Sequence, residues 1–132
     1  MVQGKRATVA IVDDDGSVRG ALLGLMRSAG FAARAFPSAE AFLASDALGE
    51  IGCLVADIRM PGMSGLELQG ELRARSAGIP VVFITAHGDA EARRRALRAG
   101  AIRFLQKPFD DEELLEGIRE AVGIGPLPGG QR

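Results

Sequence analysis

Five times along this chain a short, largely apolar run gives way to a segment with helical apolar spacing, and all but the second of these runs, which ends at Phe36-Pro37, lead into a polar residue. Strands joined through helices must run parallel, and right-handed crossovers then spread the helices over both faces of the sheet. The runs are Ala7 to Val12, Phe31 to Phe36, Gly52 to Asp57, Val81 to Thr85 and Ala101 to Leu105. The expected fold is therefore α/β: a (βα)5 doubly wound, five-stranded parallel sheet of flavodoxin-like strand order 2-1-3-4-5. Arg34 interrupts the second run, which places that strand at a sheet edge.

The segments between the runs carry their own start and stop signals. Val18, Leu22, Leu25, Met26 and Ala29 form an apolar stripe closed by Gly30, and Pro37 with Ser38 opens a second helix through about Asp46. Ser64-Gly-Leu-Glu67 reads as a capping box before Leu68 and Leu72. Asp89 leads into a fourth helix bearing Arg93, Arg94, Arg95 and Arg98, with Gly100 at its end. Asp110 to Glu113 caps and charges a fifth helix whose stripe is Leu114, Leu115, Ile118 and Val122. Gly24, Gly70 and Gly117 fall inside these helices, where each costs about 1 kcal/mol against alanine.

A chain of 132 residues, 47% hydrophobic and 25% charged, fills one domain and leaves no room for a second. Residues 1–122 are expected to form it, with 123–132, containing Pro126, Pro128, Gly129 and Gly130, as a flexible tail or truncated linker. A net charge of -1 gives no electrostatic reason for direct contact with nucleic acid or an anionic membrane. Lys5 and Arg6 precede an apolar run too short for a signal peptide, and it ends in three aspartates. No segment has the length of a transmembrane helix. Cys53, the sole cysteine, lies in an apolar run, which excludes an internal disulfide and suits the cytoplasm.

The polar residues that end the runs are what point to function. Asp13 and Asp14, Asp57, Thr85 and Lys107 all fall at carboxyl ends of predicted strands, and in the order 2-1-3-4-5 these ends surround the topological switch point. Carboxylates crowded there repel one another and call for a cation; an all-oxygen donor set without histidine or cysteine favours Mg²⁺. Asp15 has the place of a helix cap. Arginine outnumbers lysine fourteen to two, so Lys107 before Pro108 marks a position where a compact ammonium is required. Thr85 adds a hydroxyl, and Ala86 leaves space beside it.

Ile11-Val-Asp-Asp14, Asp57-Ile-Arg-Met-Pro-Gly-Met-Ser-Gly65, Thr85-Ala86, Ala99-Gly-Ala101 and Lys107-Pro-Phe109 occur in this order from Thr8 to Val122. In these motifs the chain resembles a receiver domain of two-component response regulators. Phe36-Pro-Ser-Ala-Glu-Ala-Phe-Leu43 and Thr85-Ala-His-Gly-Asp89 look most like receivers of the FixJ type. The resemblance implies that Asp57 is the phosphoacceptor and that a sensor histidine kinase is the phosphoryl donor. It further implies that Asp14, Asp57 and the Arg59 carbonyl hold Mg²⁺, with Asp13 acting through water. Lys107 would contact the phosphoryl group, and Thr85 and Phe104 would form the switch. Arg59 and His87 match positions that tune phosphate lifetime.

The expected output is a change in the face made by the fourth helix, fifth strand and fifth helix, controlling transcription through a DNA-binding domain outside this chain. Complementary charges on the fourth and fifth helices suggest a homodimer through that face. Such a domain is not an enzyme, since it promotes only its own phosphorylation and dephosphorylation. Alternatives are a single-domain regulator acting by protein contact, and a haloacid-dehalogenase-type phosphatase with Asp13 as nucleophile, because Asp13-Asp-Asp15-Gly-Ser17 also fits that signature. The phosphatase reading leaves Asp57 without a role. A flavin carrier of the same fold is disfavoured by the aspartates after the first strand, which would repel a flavin phosphate.

Overall fold

The computed structural model describes residues 8–86 and 89–123. Strands β1 (Thr8–Val12), β2 (Ala33–Phe36), β3 (Ile51–Asp57), β4 (Val81–Thr85) and β5 (Arg103–Gln106) form one parallel sheet in the order β2-β1-β3-β4-β5. This is the expected doubly wound, flavodoxin-like topology. Helices α1 (Gly16–Ser28), α2 (Ala39–Ala44), α3 (Gly65–Ala74), α4 (Ala90–Arg98) and α5 (Asp111–Val122) connect and follow the strands. His87 and the expected tail from residue 124 onward lie outside the described residues.

Two apolar layers result from the strands' period of two. Val9, Ile11, Cys53, Val55, Val82 and Ile84 meet Leu22 and Met26 of α1 and Leu114, Leu115 and Ile118 of α5. The alternate residues, among them Ala10, Val12, Leu54, Ala56 and Phe83, meet Phe42 of α2, Leu68 and Leu72 of α3 and Ala96 of α4. Phe42 and Phe83 are wholly buried, and truncating either to alanine would cost about 3–5 kcal/mol. Gly117 is explained by packing: a Cβ there would lie 2.9 Å from the Arg103 Cγ, so α5 can approach β5 only without a side chain.

Element boundaries differ from the sequence reading where local hydrogen bonds take priority. β2 starts at Ala33 rather than Phe31 because the Phe31 N–H still donates to the Met26 carbonyl of α1 at 2.9 Å, beyond a Gly30 with φ of 87°. β5 starts at Arg103 rather than Ala101, whose N–H caps α4 through the Ala96 carbonyl at 3.0 Å. α2 stops at Ala44, short of Asp46: the Ser45 hydroxyl donates back to the Phe42 carbonyl at 2.7 Å, and a 3-10 turn at Leu48–Glu50, absent from the sequence reading, leads into β3. β2 is an edge strand as expected, and its Arg34 pairs with Glu50 at 2.7 Å while lying over the Phe36 ring.

Candidate functional site

Register brings the expected site residues to one edge. β1 and β3 pair Val12 with Ala56, so the next residues, Asp13 and Asp57, leave the sheet side by side. β3 pairs Asp57 with Ile84, and β4 pairs Thr85 with Gln106, so Thr85 and Lys107 follow one step beyond. The central strands are rigid and buried on both faces, which fixes the direction of the carboxylates at their ends.

The two aspartates are held alike. Oδ1 of Asp13 accepts from the Asp15 N–H at 2.9 Å, and Oδ1 of Asp57 accepts from the Arg59 N–H at 3.1 Å. Each carboxylate is thus fixed by an amide two residues on, and each directs Oδ2 at one ammonium. Lys107 Nζ lies 3.8 Å from Asp57 Oδ2 and 4.0 Å from Asp13 Oδ2. Those separations are long for a direct hydrogen bond. Lys107 is itself positioned by its backbone N–H, which donates to the Thr85 carbonyl at 2.7 Å.

Asp13 is 1% exposed, and its Oδ2 is buried with no hydrogen-bond partner. Burial pushes its pKa above the ordinary carboxylate value and the charges of Asp57 and Asp14 add to this, while the Asp15 amide and Lys107 oppose them. Asp14 and Asp15 are exposed. Asp15 caps α1, accepting from the Ser17 and Val18 amides, as its sequence position implied. Among the described residues no three carboxylate, histidine or cysteine side chains converge as a metal cluster. The structure therefore joins Asp13, Asp57 and Lys107 and leaves Asp14 at the rim. An orphaned carboxylate oxygen among oxygen donors nevertheless fits a hard divalent cation better than it fits lysine alone.

Thr85 is wholly buried and belongs by strand period to the face of Phe83, whose ring centroid lies 6.3 Å from that of Phe104. Phe104 is paired with Phe83 in register and is 8% exposed. The two residues expected to form the switch thus share one face of the sheet. The Arg93 guanidinium of α4 donates to the Phe104 carbonyl at 3.3 Å.

Some residues around the site were not singled out by sequence. Arg19 of α1 donates to the Asp13 carbonyl at 2.8 Å, and Glu40 of α2 accepts from the Met63 amide at 2.9 Å. Gln69 of α3, 4% exposed, donates to the Ala96 carbonyl of α4 at 3.1 Å. Neither Arg19 nor Glu40 carries a local signal; a polar residue on a helix surface is the usual solvated case.

A doubly wound domain with an acidic pair and a lysine at its switch point is the class the geometry defines, and residues 9–119 match the family of the response regulator receiver domain. The chain belongs to that family. It is 43% identical over 122 residues to the response regulator protein TodT of Pseudomonas putida, covering 92% of this chain and 54% of that protein. It is also 43% identical over 123 residues to the transcriptional regulatory protein FixJ of Azorhizobium caulinodans, covering 93% and 58%. Among solved structures, FixJ-N superposes with a TM-score of 0.80 at 43% identity, covering 88% of this chain and 93% of that one. The chain spans about half the length of the curated relatives it matches. As a receiver domain of regulatory proteins it has a signalling role, and its family implies a histidine kinase partner. Among the described residues no helix is long and apolar enough to cross a membrane.

Proposed function

We propose that this domain accepts a phosphoryl group on Asp57 from a phosphohistidine of a sensor histidine kinase. The observation that carries the reading is the shared aim of Asp13 and Asp57 at Lys107, with one Asp13 oxygen buried and unsatisfied. An Asp57 oxygen forms the new P–O bond as the P–N bond to the histidine breaks, and the departing imidazole keeps the electron pair. Lys107 offers positive charge to the transferring oxygens, and the buried Thr85 supplies a hydroxyl one residue along the sheet edge. Asp14, Asp57 and the Arg59 carbonyl would hold Mg²⁺, with Asp13 acting through water; when bound, the ion neutralises phosphoryl oxygens. Asp57's amide tether at Arg59 keeps its other oxygen free to react.

In this proposal Thr85 and Phe104 relay the added charge to the α4-β5-α5 face, and the output is transcription, in line with the similarity to the transcriptional regulatory protein FixJ. Residues 1–122 act as the phosphoacceptor unit in the cytoplasm, with 123–132 as tail or linker. A homodimer through the same face remains part of the proposal. Its charges are partly engaged within the chain already, since Arg94 pairs with Glu91 and Arg103 with Glu120.

The test is incubation with acetyl phosphate and Mg²⁺, followed by mapping of the label. One phosphoryl group on Asp57, lost in Asp57→Asn with the fold retained, is expected. Labelling of Asp13 instead would support the dehalogenase-type phosphatase and refute the receiver chemistry.

A further inference from the structure

The loop from Ile58 to Ser64 carries the Arg59 carbonyl and so forms one wall of the site. Its ends are tied locally. The Gly65 amide donates to the Ile58 carbonyl at 2.9 Å, the Arg59 amide to Asp57, and Ser64 with Glu67 closes a capping box. The middle of the loop is tied differently. The Met63 N–H donates to Glu40 Oε2 at 2.9 Å, a bond from the first turn of α2 across 23 residues of sequence. Gly62 beside it has a φ of 76°, and a Cβ there would stand 2.6 Å from that same Glu40 oxygen. The carboxylate therefore occupies the space against the bare glycine backbone and meets the next amide.

From these contacts we infer that Glu40 is a positioning residue: it holds the Met60–Met63 turn, and through it the Arg59 carbonyl, in the geometry that the divalent cation requires. The inference rests on the metal-site reading proposed above. Glu40 acts through the backbone, because its acceptor oxygen meets Met63 rather than the acidic pair. A hydrogen bond to a backbone amide is well suited to this, since it fixes a loop that has neither helix nor strand to define it.

The role separates from bulk electrostatics by substitution in the full chain. Glutamine keeps an acceptor of the same reach without the charge, whereas alanine removes it. Mg²⁺ binding by calorimetry, with amide exchange at Met63, is compared for the wild type, Glu40→Ala, Glu40→Gln and Asp57→Asn. Glu40→Ala should speed Met63 exchange and weaken Mg²⁺ about threefold to tenfold, the worth of one such bond, while Glu40→Gln stays within about twofold. Unchanged affinity in Glu40→Ala, with the wild type binding normally, overturns the inference alone; so does Glu40→Gln as weak as Glu40→Ala, which would make the effect one of charge. A wild type that takes up no more Mg²⁺ than Asp57→Asn overturns the metal-site reading and the inference with it.

Discussion

Replacing Gly65 by alanine puts a methyl group where the structure has none to give. A Cβ at Gly65 would collide with the Asp57 carbonyl oxygen, and it would lie 3.0 Å from the Phe83 ring and 3.1 Å from the Asp57 carbonyl carbon. The oxygen belongs to backbone at the end of β3, so it cannot rotate away as a side chain would. Either α3 retreats or Asp57 moves. Overpacking of this kind costs about 1–3 kcal/mol, and the involvement of backbone argues for the upper part of that range. Gly70, one and a half turns further along the same helix, has nothing within 4 Å of its would-be Cβ. There the same substitution gains helix propensity, about 0.5–1 kcal/mol. The two variants should therefore move in opposite directions, separated by about 2.5–4 kcal/mol. Urea unfolding followed by far-ultraviolet circular dichroism measures this directly, and the absence of tryptophan and tyrosine makes it preferable to fluorescence. Midpoints should shift with little change in slope. A Gly65→Ala protein as stable as the wild type, with Gly70→Ala no better, would refute the close approach of α3 to β3 from which the argument starts.

Two further outcomes are expected from the buried titratable groups. Burial pushes the Cys53 thiol up to about 12, so native protein should resist iodoacetamide at pH 8 while urea-unfolded protein reacts rapidly, followed by mass spectrometry; equal rates would contradict the burial. Because the folded value exceeds the unfolded one, this thiol's contribution is intact below about 8.5 and is lost as pH rises toward 12. Asp13 follows the same sign, since burial raises its folded value: its contribution is fully present below the unfolded carboxylate value near 3.9 and is lost as pH rises through the folded one. In EDTA, Asp13→Asn should therefore be more stable than the wild type at pH 7, with the difference vanishing in acid, and a variant less stable at neutral pH would show that Lys107 already compensates the buried charge.

The fold was readable because its information is periodic and local. A short, largely apolar run followed by helical spacing has one economical solution when it recurs five times, and the run that Arg34 interrupts marked one edge of the sheet. Boundaries were less readable because they turn on single hydrogen bonds. Phe31 and Ala101 look like strand residues, yet each spends its amide on the helix before it. Ser45 similarly ends α2 two residues early by bonding back to Phe42. Propensity has no access to a choice between two partners that are both one step away.

The same distinction divides the site. Asp13, Asp57, Thr85 and Lys107 were legible because a residue just past a strand end inherits its place from the sheet, whatever lies between the strands. Glu40, Arg19 and Gln69 inherit nothing of the kind. Gln69 adjoins the apolar stripe of Leu68 and Leu72, where a polar residue reads as solvent-facing, but α4 covers it and its amide finds the Ala96 carbonyl. Glu40 has the sequence of a routine first-turn acid, and only the right-handed crossover from β2 through α2 to β3 carries it to the loop beyond Asp57. The residues proposed to perform chemistry at the sheet edge are therefore placed by register, whereas those that tie the loops around it are placed by crossovers. Substitutions in the second group should alter how tightly the edge is organised without changing which atoms react there.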